Sequence, residues 1–455
     1  MNQTSTIAAV STPVAAGGIG VIRISGPDAV RIAQTVFRPS SGKSVSEMKG
    51  YTAAFGKVYD GDTPIDEAVL LIFRAPHSYT GEDVAEISCH GGIYLVNRAL
   101  RAAIRAGASP AAPGEFTKRA FLNGKLDLTE AEAVMNLISA QGEQGAAAAL
   151  TALEGALSRK LREAAQILIT DSAYMAAWVD YPDDEIEELS QERLLSDYRQ
   201  VADSLEALLK NYEGGRALTQ GVDTVIAGKP NVGKSTLMNC LSGFDRSIVT
   251  AAAGTTRDVV EDTIRLGEMV LRLADTAGIR ATDNEAEKIG VEFALGRIER
   301  AELVLAVFDG SQPLSEEDRQ VIARCKNKKA IALINKSDLP QQLDTADLRD
   351  FFRMIPICAK NSDGIQALSQ AVLTVLGSDS VDTSAAMLAN ERQRAGCEQA
   401  LLCVKEAMDA LKGGMTLDAV NVSTDSAVDA LLSLTGERAG EAVVNEIFSR
   451  FCVGK

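Results

Sequence analysis

The sequence lacks the cysteine pattern of a disulfide-stapled or zinc-binding protein, because its seven cysteines are scattered without a CxxC pair. The amino end has no basic segment followed by an apolar one, so no secretory leader is expected. No uninterrupted apolar run is long enough to span a bilayer. These absences predict a protein of the reducing cytoplasm without a membrane anchor.

Basic residues are also in short supply. The chain has 46 Lys and Arg residues against 62 Asp and Glu residues, which gives a formal net charge of −16. Contacts to nucleic-acid phosphates need clustered lysine and arginine, so this chain is not expected to bind bare nucleic acid unaided. If RNA is a substrate, we expect another subunit to supply much of the positive surface.

The sequence does contain three successive patterns, and its length of 455 residues suggests about three domains. Residues 1–120 show short apolar or alternating runs between glycines and prolines, with one helix, which predicts an α+β domain. Leucines at helical spacing predict an α-helical bundle domain over 121–213 and 378–455. Residues 214–377 alternate strands with helices, which predicts a doubly wound α/β domain inserted into the bundle.

Individual elements follow from these patterns. In the first domain, strands are predicted at 20–25, 68–73 and 84–88, and a helix at 93–106. In the inserted domain, strands are predicted at 222–227, 270–274, 303–309, 330–335 and 354–358. Later helices are predicted at 385–411 and 418–451. Gly214 and Gly215 are predicted to form a hinge into the inserted domain.

The most informative segment, residues 228–235, has the sequence Gly-Lys-Pro-Asn-Val-Gly-Lys-Ser and fits the phosphate-loop pattern. In this pattern glycines let backbone N–H groups close around phosphate oxygens. Lys234 is expected to reach the β and γ phosphates, and the Ser235 hydroxyl to ligate Mg²⁺. Residues 275–278 fit the DxxG motif, whose aspartate holds Mg²⁺ through water and whose glycine senses the γ-phosphate.

Two further motifs specify guanine. Residues 335–338 fit NKxD, whose carboxylate accepts hydrogen bonds from guanine N1–H and the amino group, a donor pair that adenine lacks. Residues 358–360 resemble the SAK loop, with cysteine replacing serine. Four ordered motifs predict a P-loop GTPase domain of the Ras-like type rather than an accidental glycine turn. The predicted GTP contacts are Asn231, Val232, Gly233, Lys234, Ser235, Thr236, Thr250, Ala251, Ala252, Ala253, Gly254, Thr255, Thr256, Asp275, Thr276, Ala277, Gly278, Asn335, Lys336, Asp338, Cys358, Ala359 and Lys360.

The catalytic groups must differ from those of Ras itself, because Ile279 stands where Ras-like enzymes place a water-orienting glutamine. The carboxylates of Glu285 and Glu287 are candidates, although each also fits a solvated loop residue. Asn231 can coordinate a monovalent cation against the β and γ phosphates, in the place of an arginine finger. A switch loop is expected to present Thr256 to Mg²⁺.

Together these motifs resemble the MnmE (TrmE) family of tRNA uridine modification GTPases over essentially the full chain. Further segments that carry the resemblance lie at 17–20, 23–26, 79–83, 90–92, 113–116, 122–128 and 451–455. The resemblance implies an amino-terminal domain like the folate-binding domain of glycine-cleavage T-protein. This amino-terminal domain would mediate homodimerisation and bind 5-formyl- or 5,10-methylene-tetrahydrofolate. It also implies that Arg23, Glu86, Lys125 and Lys455 line the folate pocket.

The resemblance further implies a complex with MnmG, an FAD protein. This complex would add an aminomethyl or carboxymethylaminomethyl group to C5 of the wobble uridine of certain tRNAs. The implied metal ligands are Asn231, Thr250, Ala252 and Thr255 for K⁺, and Ser235 and Thr256 for Mg²⁺. Glu287 is implied to orient the attacking water, in GTPase domains that dimerise across their switch regions when K⁺ and GTP are bound.

Two residues keep alternative interpretations. Cys452 is a candidate nucleophile toward uridine C6 or a methylene-folate adduct, with Lys455 nearby to favour the thiolate. Alternatively, Cys452 is a buried apolar residue beside Phe448 and Phe451. His90 fits a packed or backbone-bonded histidine better than a catalyst, because the sequence shows no partner to orient it.

Two other functions compete with a K⁺-dependent GTPase of tRNA modification. One is a GTP-switched ribosome-assembly factor without base chemistry, and the folate-like motifs and the cysteine near the carboxyl end argue against it. The other is a folate-binding scaffold with an inactive GTPase domain, and the complete set of nucleotide motifs argues against that.

Overall fold

The structure is a computed structural model, and it describes residues 5–140, 142–180, 190–244, 262–273, 298–379 and 381–455. The chain divides into two compact units. The first unit consists of residues 1–135 and 432–455, and the second of residues 136–431. Within the described ranges, no helix combines the length and apolar character needed to cross a membrane.

The first part of the chain builds one sheet with two helices packed on it. Its elements are β1 Ile7–Val10, β2 Gly17–Ser25, α1 Ala29–Val36, β3 Phe37–Pro39, β4 Thr52–Asp60, β5 Thr63–Phe73, β6 Val84–Gly91, α2 Ile93–Arg105, β7 Ser109–Pro110, α3 Glu115–Leu122 and α4 Leu128–Ser139. The seven strands follow the order β3-β4-β5-β6-β2-β1-β7, with antiparallel pairing except between β1 and β7. Helices α1 and α2 bury apolar stripes against this sheet, because their apolar residues recur at helical spacing.

The rest of the chain adds helices and a second sheet. Its elements are α5 Glu143–Leu153, α6 Ala156–Asp180, α7 Gln191–Lys210, α8 Tyr212–Gln220, β8 Val222–Ala227, α9 Lys234–Phe244, β9 Asp262–Leu266, β10 Met269–Leu273, β11 Leu303–Asp309, α10 Glu316–Cys325, β12 Ala330–Asn335, β13 Arg353–Pro356, α11 Ile365–Val375, α12 Glu391–Lys412, α13 Leu417–Thr435 and α14 Glu441–Ser449. The six strands follow the order β13-β12-β11-β8-β10-β9, and all pairs are parallel except β9 with β10. Every residue of β11 is buried, as expected for a central parallel strand covered on both faces.

The strands predicted from the sequence are found. Those predicted at 222–227, 303–309 and 330–335 match β8, β11 and β12 to the residue. The predictions at 270–274 and 354–358 start one residue too late relative to β10 and β13. In the first domain the three predicted strands are parts of the longer β2, β5 and β6, and the predicted helix is α2. Buried parallel strands were therefore the easiest elements to predict, because their apolar runs are continuous.

The predicted helices near the carboxyl end need correction. The single helix predicted at 418–451 is two helices, α13 and α14, and Gly436 between them has a φ of 95°. Glycine favours this left-handed conformation, which commonly ends a helix. The helix predicted from residue 385 begins only at Glu391, where the Asn390 side chain accepts a hydrogen bond from the Gln393 backbone N–H.

The hinge predicted at Gly214 and Gly215 is wrong. Both glycines are buried within α8. A Cβ on Gly214 would lie 2.5 Å from the backbone oxygen of Gly377 and 2.6 Å from a methyl group of Val381. The Ser378 hydroxyl donates to the backbone oxygen of Gly214 at 3.2 Å. Gly214 therefore allows α8 to approach the segment that leaves the second sheet, which is a packing role rather than a bending role.

A helix that comes before the second sheet in the sequence packs against a helix that comes after it. Helix α7 precedes the sheet and α12 follows it, and the two are in contact along their length. Tyr198 on α7 is fully buried, and its hydroxyl lies 2.8 Å from the Thr424 hydroxyl on α13. An inserted sheet domain needs such packing between the helices that flank it. The exact domain boundaries at 120, 213 and 378 stay predictions.

Replacing Gly214 by alanine should destabilise the second unit by about 1–3 kcal/mol, because the added methyl group overpacks a closed backbone contact. Urea unfolding measures this change in the free energy of unfolding. The fluorescence of Trp178, the single tryptophan, which lies on α6 of the same unit, follows the transition. Gly243→Ala is the matched control, since a Cβ on that helical glycine meets nothing within 4 Å. Equal midpoints for the two variants would contradict the packing role of Gly214.

Candidate functional site

The phosphate loop connects β8 to α9, and its backbone has conformations that its glycines permit. Gly228 has a φ of 151° and Gly233 a φ of 99°. A Cβ on Gly228 would lie 2.4 Å from the Val307 backbone oxygen, and one on Gly233 would lie 2.3 Å from Nδ2 of Asn335. Side chains are therefore excluded at both positions, and the loop can close as the motif requires.

Lys234 and Ser235 stand at the start of α9, where backbone N–H groups and the helix dipole favour an anion. The Lys234 ammonium donates to the backbone oxygens of Gly228 and Lys229, both at 2.7 Å. These bonds fold the side chain back over the loop, on the side where phosphates bind in such motifs. Ser235 is thereby available as the predicted Mg²⁺ ligand, and Thr236 follows it on the helix.

Asn335, at the end of β12, joins three of the predicted motifs. Its side chain is buried, and Nδ2 donates to the backbone oxygen of Val232 in the phosphate loop at 2.8 Å. Its Oδ1 accepts from the backbone N–H of Ala359 at 3.1 Å. The structure thus brings the phosphate loop, the NKxD motif and the Cys-Ala-Lys loop together through one amide group.

Asp338, the carboxylate predicted to specify guanine, is oriented by Cys358, the residue that departs from the SAK pattern. The Cys358 thiol is buried and donates to Oδ1 of Asp338 at 3.3 Å. Lys336 adopts a left-handed φ of 62°, and its ammonium donates to Asp309 at 2.6 Å. Lys360, the last predicted contact, is exposed beside them. The arrangement leaves one carboxylate oxygen of Asp338 aligned by a weak donor rather than a hydroxyl.

Asp309 is a site residue that the sequence motifs do not reveal. Burial alone would raise the pKa of its carboxyl, but hydrogen bonds from Lys336 and Ser311 outweigh burial and hold the pKa below the ordinary value. These hydrogen bonds therefore favour the ionised carboxylate of Asp309, next to Lys336 of the NKxD motif. Its position at the end of β11, at the edge of the sheet where the nucleotide loops lie, is the only sequence signal of this role.

Several predicted contacts lie outside the described residues. These are Thr250, Ala251, Ala252, Ala253, Gly254, Thr255, Thr256, Asp275, Thr276, Ala277, Gly278 and Glu287. Asn231 is described, and it adopts a left-handed φ of 62° within the phosphate loop.

A second cluster of predicted residues lies in the first unit. Arg23 on β2 and Glu86 on β6 are paired neighbours in the sheet register, and Nε of Arg23 donates to Oε1 of Glu86 at 2.8 Å. The Arg23 guanidinium lies 5.6 Å from the ring centroids of both Tyr79 and Phe116. The Tyr79 hydroxyl is in turn 2.9 Å from that of Thr117. The two rings flank the cation, and both belong to segments that carried the family resemblance.

Gly454 and Lys455 join this group of residues around Arg23, the Arg23 cluster. The Ser11 hydroxyl donates to the backbone oxygen of Gly454 at 3.2 Å, and the Phe116 N–H donates to a backbone oxygen of Lys455 at 3.2 Å. Burial lowers the pKa of the Lys455 ammonium, the nearby charge of Arg23 lowers it further, and Glu86 opposes both effects. Lys455 is therefore close enough to Arg23 and Glu86 to share their electrostatic environment. Lys125 is exposed, and its ammonium donates to the Pro76 backbone oxygen at 3.3 Å.

Arg119 connects two segments of the Arg23 cluster, and the sequence motifs do not reveal this connection. Its buried guanidinium donates to Glu82 at 3.1 Å and to Glu115 at 3.0 Å. Glu82 follows Tyr79 in the same loop, and Glu115 precedes Phe116 on α3. Arg119 thereby fixes the two segments that carry the aromatic rings of the Arg23 cluster.

Two interpretations from the sequence are corrected. The interpretation of Cys452 as a buried apolar residue is wrong, because Cys452 is exposed while Phe448 and Phe451 are buried. His90 is exposed rather than packed, and it does have a partner. Its Nδ1 lies 2.8 Å from Oδ1 of Asp66, whose Oδ2 accepts from the His90 backbone N–H at 2.8 Å. Burial acts to raise the pKa of Asp66, but the hydrogen bonds from His90 lower it overall.

Comparison with known proteins matches both halves of this description. Residues 6–125 match the family described as "GTP-binding protein TrmE N-terminus", and residues 128–452 match the "MnmE helical domain". The tRNA modification GTPase MnmE of Acetivibrio thermocellus is 40% identical over 462 residues, covering 100% of both chains. The MnmE chains of Heliobacterium modesticaldum and Geobacillus kaustophilus are 40% and 38% identical, covering 99% and 100% of both chains.

The chain belongs to the MnmE family of tRNA modification GTPases. Membership confirms the predicted multidomain fold, with an α+β amino-terminal domain, a helical domain and an α/β P-loop GTPase domain. It also confirms an enzyme that binds and hydrolyses GTP and takes part in tRNA modification. The contacts of individual motif residues with the guanine base and the phosphates stay predictions.

The thiol of Cys358 gives a direct test of guanine recognition. Cys358→Ala should weaken GDP binding about fivefold, the value of one hydrogen bond of about 1 kcal/mol, because Asp338 loses its orienting donor. Cys358→Ser should retain or improve the affinity, since a hydroxyl is the stronger donor. Equilibrium titration with a fluorescent GDP measures both variants. Equal affinity of Cys358→Ala and the unchanged protein would show that the thiol does not orient the carboxylate.

Proposed function

We propose that this GTPase is activated by K⁺ and acts as a homodimer with an FAD flavoprotein of the MnmG type. The complex adds an aminomethyl or carboxymethylaminomethyl group to C5 of the tRNA wobble uridine, with a tetrahydrofolate derivative as the one-carbon donor. One observation carries the proposal: besides its nucleotide site, the chain holds a separate cluster in which the Arg23 guanidinium lies 5.6 Å from the ring centroids of Tyr79 and Phe116, with Lys455 near Arg23.

The pocket in the first unit fits a folate. Arg23 and Lys455 supply positive charge for an anionic glutamyl tail, and Tyr79 and Phe116 supply flat apolar surfaces for a ring system. Glu86 restrains Arg23 and offers an acceptor for ring N–H groups. Lys125 is proposed as a further folate contact from its exposed position. The bound folate supplies the one-carbon unit, and these residues bind and orient it.

The nucleotide site fits a K⁺-assisted hydrolysis. Asn231 projects from the phosphate loop at a left-handed φ of 62°, and its amide oxygen is a suitable K⁺ ligand. Thr250, Ala252 and Thr255 are proposed as the other K⁺ ligands, and Ser235 with Thr256 as the Mg²⁺ ligands. These cations supply positive charge beside the phosphates, where charge develops during hydrolysis. Glu287 is proposed to orient the attacking water, because Ile279 cannot.

Three further features belong to the proposal. Cys452 remains a candidate nucleophile toward uridine or the folate adduct, and its exposed thiol meets the requirement for access. The homodimer is supported by exposed apolar side chains on the first unit, including Val14, Ile19 and Tyr94. The cytoplasm is the proposed compartment, since the cysteines form no bonded pairs among the described residues. The domain boundaries proposed are those of the sequence prediction.

The ribosome-assembly alternative is weaker for a physical reason. A GTP-driven switch without base chemistry has no use for a second, cationic and aromatic pocket. The acidic net charge of −16 also disfavours direct assembly onto ribosomal RNA.

Replacing NaCl by KCl should raise GTP turnover by at least about tenfold, because Na⁺ is smaller than K⁺ and would fit the proposed oxygen ligands less well. Steady-state phosphate release at constant ionic strength measures the effect. Asn231→Ala should remove most of the difference between the two salts. Equal turnover in both salts for the unchanged protein would overturn the role of K⁺.

The folate-dependent step is tested in cells that lack this protein and carry either an Arg23→Ala or an Arg38→Ala chain. Arg23→Ala should abolish the modified wobble uridine in nucleoside analysis of bulk tRNA, while GTP turnover of the purified variant stays unchanged. Arg38→Ala is the matched control, since Arg38 also lies over an aromatic ring, Tyr59, but is exposed. A full complement of modified uridine with Arg23→Ala would contradict the pocket's role.

A further inference from the structure

The segment 309–318 connects β11 to α10. It carries two carboxylates, one paired with a lysine of the phosphate loop and one paired with a lysine of the NKxD motif. It begins with Asp309, the last residue of β11, and ends with Asp318 in the first turn of α10. Neither residue belongs to a nucleotide motif. Each nevertheless forms an ion pair with a lysine that does.

Asp318 holds the phosphate loop. Its Oδ2 lies 2.7 Å from the ammonium of Lys229, the second residue of the loop, and the Asp318 and Lys229 side chains are only 3% and 13% exposed. The backbone oxygen of Lys229 accepts a hydrogen bond from Lys234. A shift of Lys229 would therefore move an anchor of the lysine that contacts phosphate. An ion pair this buried is worth much more than a surface pair in fixing geometry.

Asp318 is itself immobilised. Its Oδ2 accepts from the Ser315 backbone N–H at 2.9 Å, and the Ser315 hydroxyl accepts from the Asp318 backbone N–H at 3.3 Å. This reciprocal capping box fixes the start of α10. The carboxylate that meets Lys229 is thus part of a rigid helix end, which is the property that a positioning group needs.

Asp309 holds the guanine loop in a corresponding way. Its Oδ2 accepts from the Lys336 ammonium at 2.6 Å, while Oδ1 accepts from the Ser311 hydroxyl at 2.6 Å. The backbone of the segment adds to this connection, because the Gly310 N–H donates to the Asn335 backbone oxygen at 2.9 Å. Both lysines are therefore restrained by carboxylates on one short stretch of chain.

We propose that the segment 309–318 is a positioning element of the GTPase site, in which Asp318 sets the phosphate loop and Asp309 sets the guanine loop. Each carboxylate acts through the lysine with which it forms an ion pair. Small displacements of groups that bind the reacting phosphates are costly to the rate, so an anchor outside the motifs contributes to turnover. The two carboxylates have separable effects, because one loop binds phosphates and the other binds the base.

The experiment compares the affinities for GDP and GMP, since only GDP carries the β-phosphate. Asp318→Asn should weaken GDP binding about tenfold, through the loss of one charge-assisted hydrogen bond, and leave GMP binding unchanged. Asparagine keeps an acceptor for the Ser315 N–H, so the helix cap survives. Glu316→Gln is the matched control, because it removes an exposed carboxylate from the same helical turn. That variant should change neither affinity.

Asp309→Asn should instead weaken GDP and GMP by the same factor, because it acts on the guanine loop. Lys229→Met should reproduce Asp318→Asn, and Lys229→Arg should restore GDP affinity by keeping the ion pair. The two lysine variants keep the test decisive if Asp318→Asn fails to fold. The proposal is overturned if Lys229→Met and Lys229→Arg bind GDP equally, or if Asp318→Asn lowers both affinities by one factor.

Discussion

The nucleotide site depends on the need of one buried amide, that of Asn335, to satisfy both of its ends. A buried side-chain amide without partners is costly, so its donor and acceptor are both paired. Here the donor takes the Val232 backbone oxygen and the acceptor takes the Ala359 N–H. Three loops that are distant in sequence can meet these needs only in one mutual arrangement. The phosphate loop, the NKxD motif and the Cys-Ala-Lys loop are thereby held in one mutual arrangement.

A common electrostatic device recurs in both units of the protein. A cationic residue of a functional motif is paired with a carboxylate from a neighbouring element: Lys229 with Asp318, Lys336 with Asp309, and Arg23 with Glu86. Pairing reduces the net charge around each cation. It also restricts the rotamers of a long side chain, so the loss of conformational entropy occurs during folding rather than on ligand binding. A chain with a net charge of −16 thereby keeps three cations of its predicted sites in ordered positions.

How much the sequence predicts depends on whether a feature is local. The central strands were predictable because buried parallel strands are continuous apolar runs. The pair of His90 with Asp66 was not, since it depends on two strands meeting. The hinge predicted at Gly214 is wrong because the sequence alone does not distinguish a glycine that permits a close backbone contact from a glycine that permits bending. Cys452 was a poor guide for a similar reason, because cysteine is usually buried and here is not.

The first unit joins residues that the ribosome adds to the chain far apart in time. Ser11 is bonded to Gly454, 443 positions later, and a Cβ on Gly454 would lie 2.2 Å from the Val10 backbone oxygen. At a synthesis rate of roughly 5–20 residues per second, the amino-terminal sheet waits on the order of 20–90 s for this partner. During that interval the second unit can fold first. A chain whose synthesis stopped before residue 454 would lack this bond, so the contacts that residues 454 and 455 make in the first unit form only at the end of synthesis.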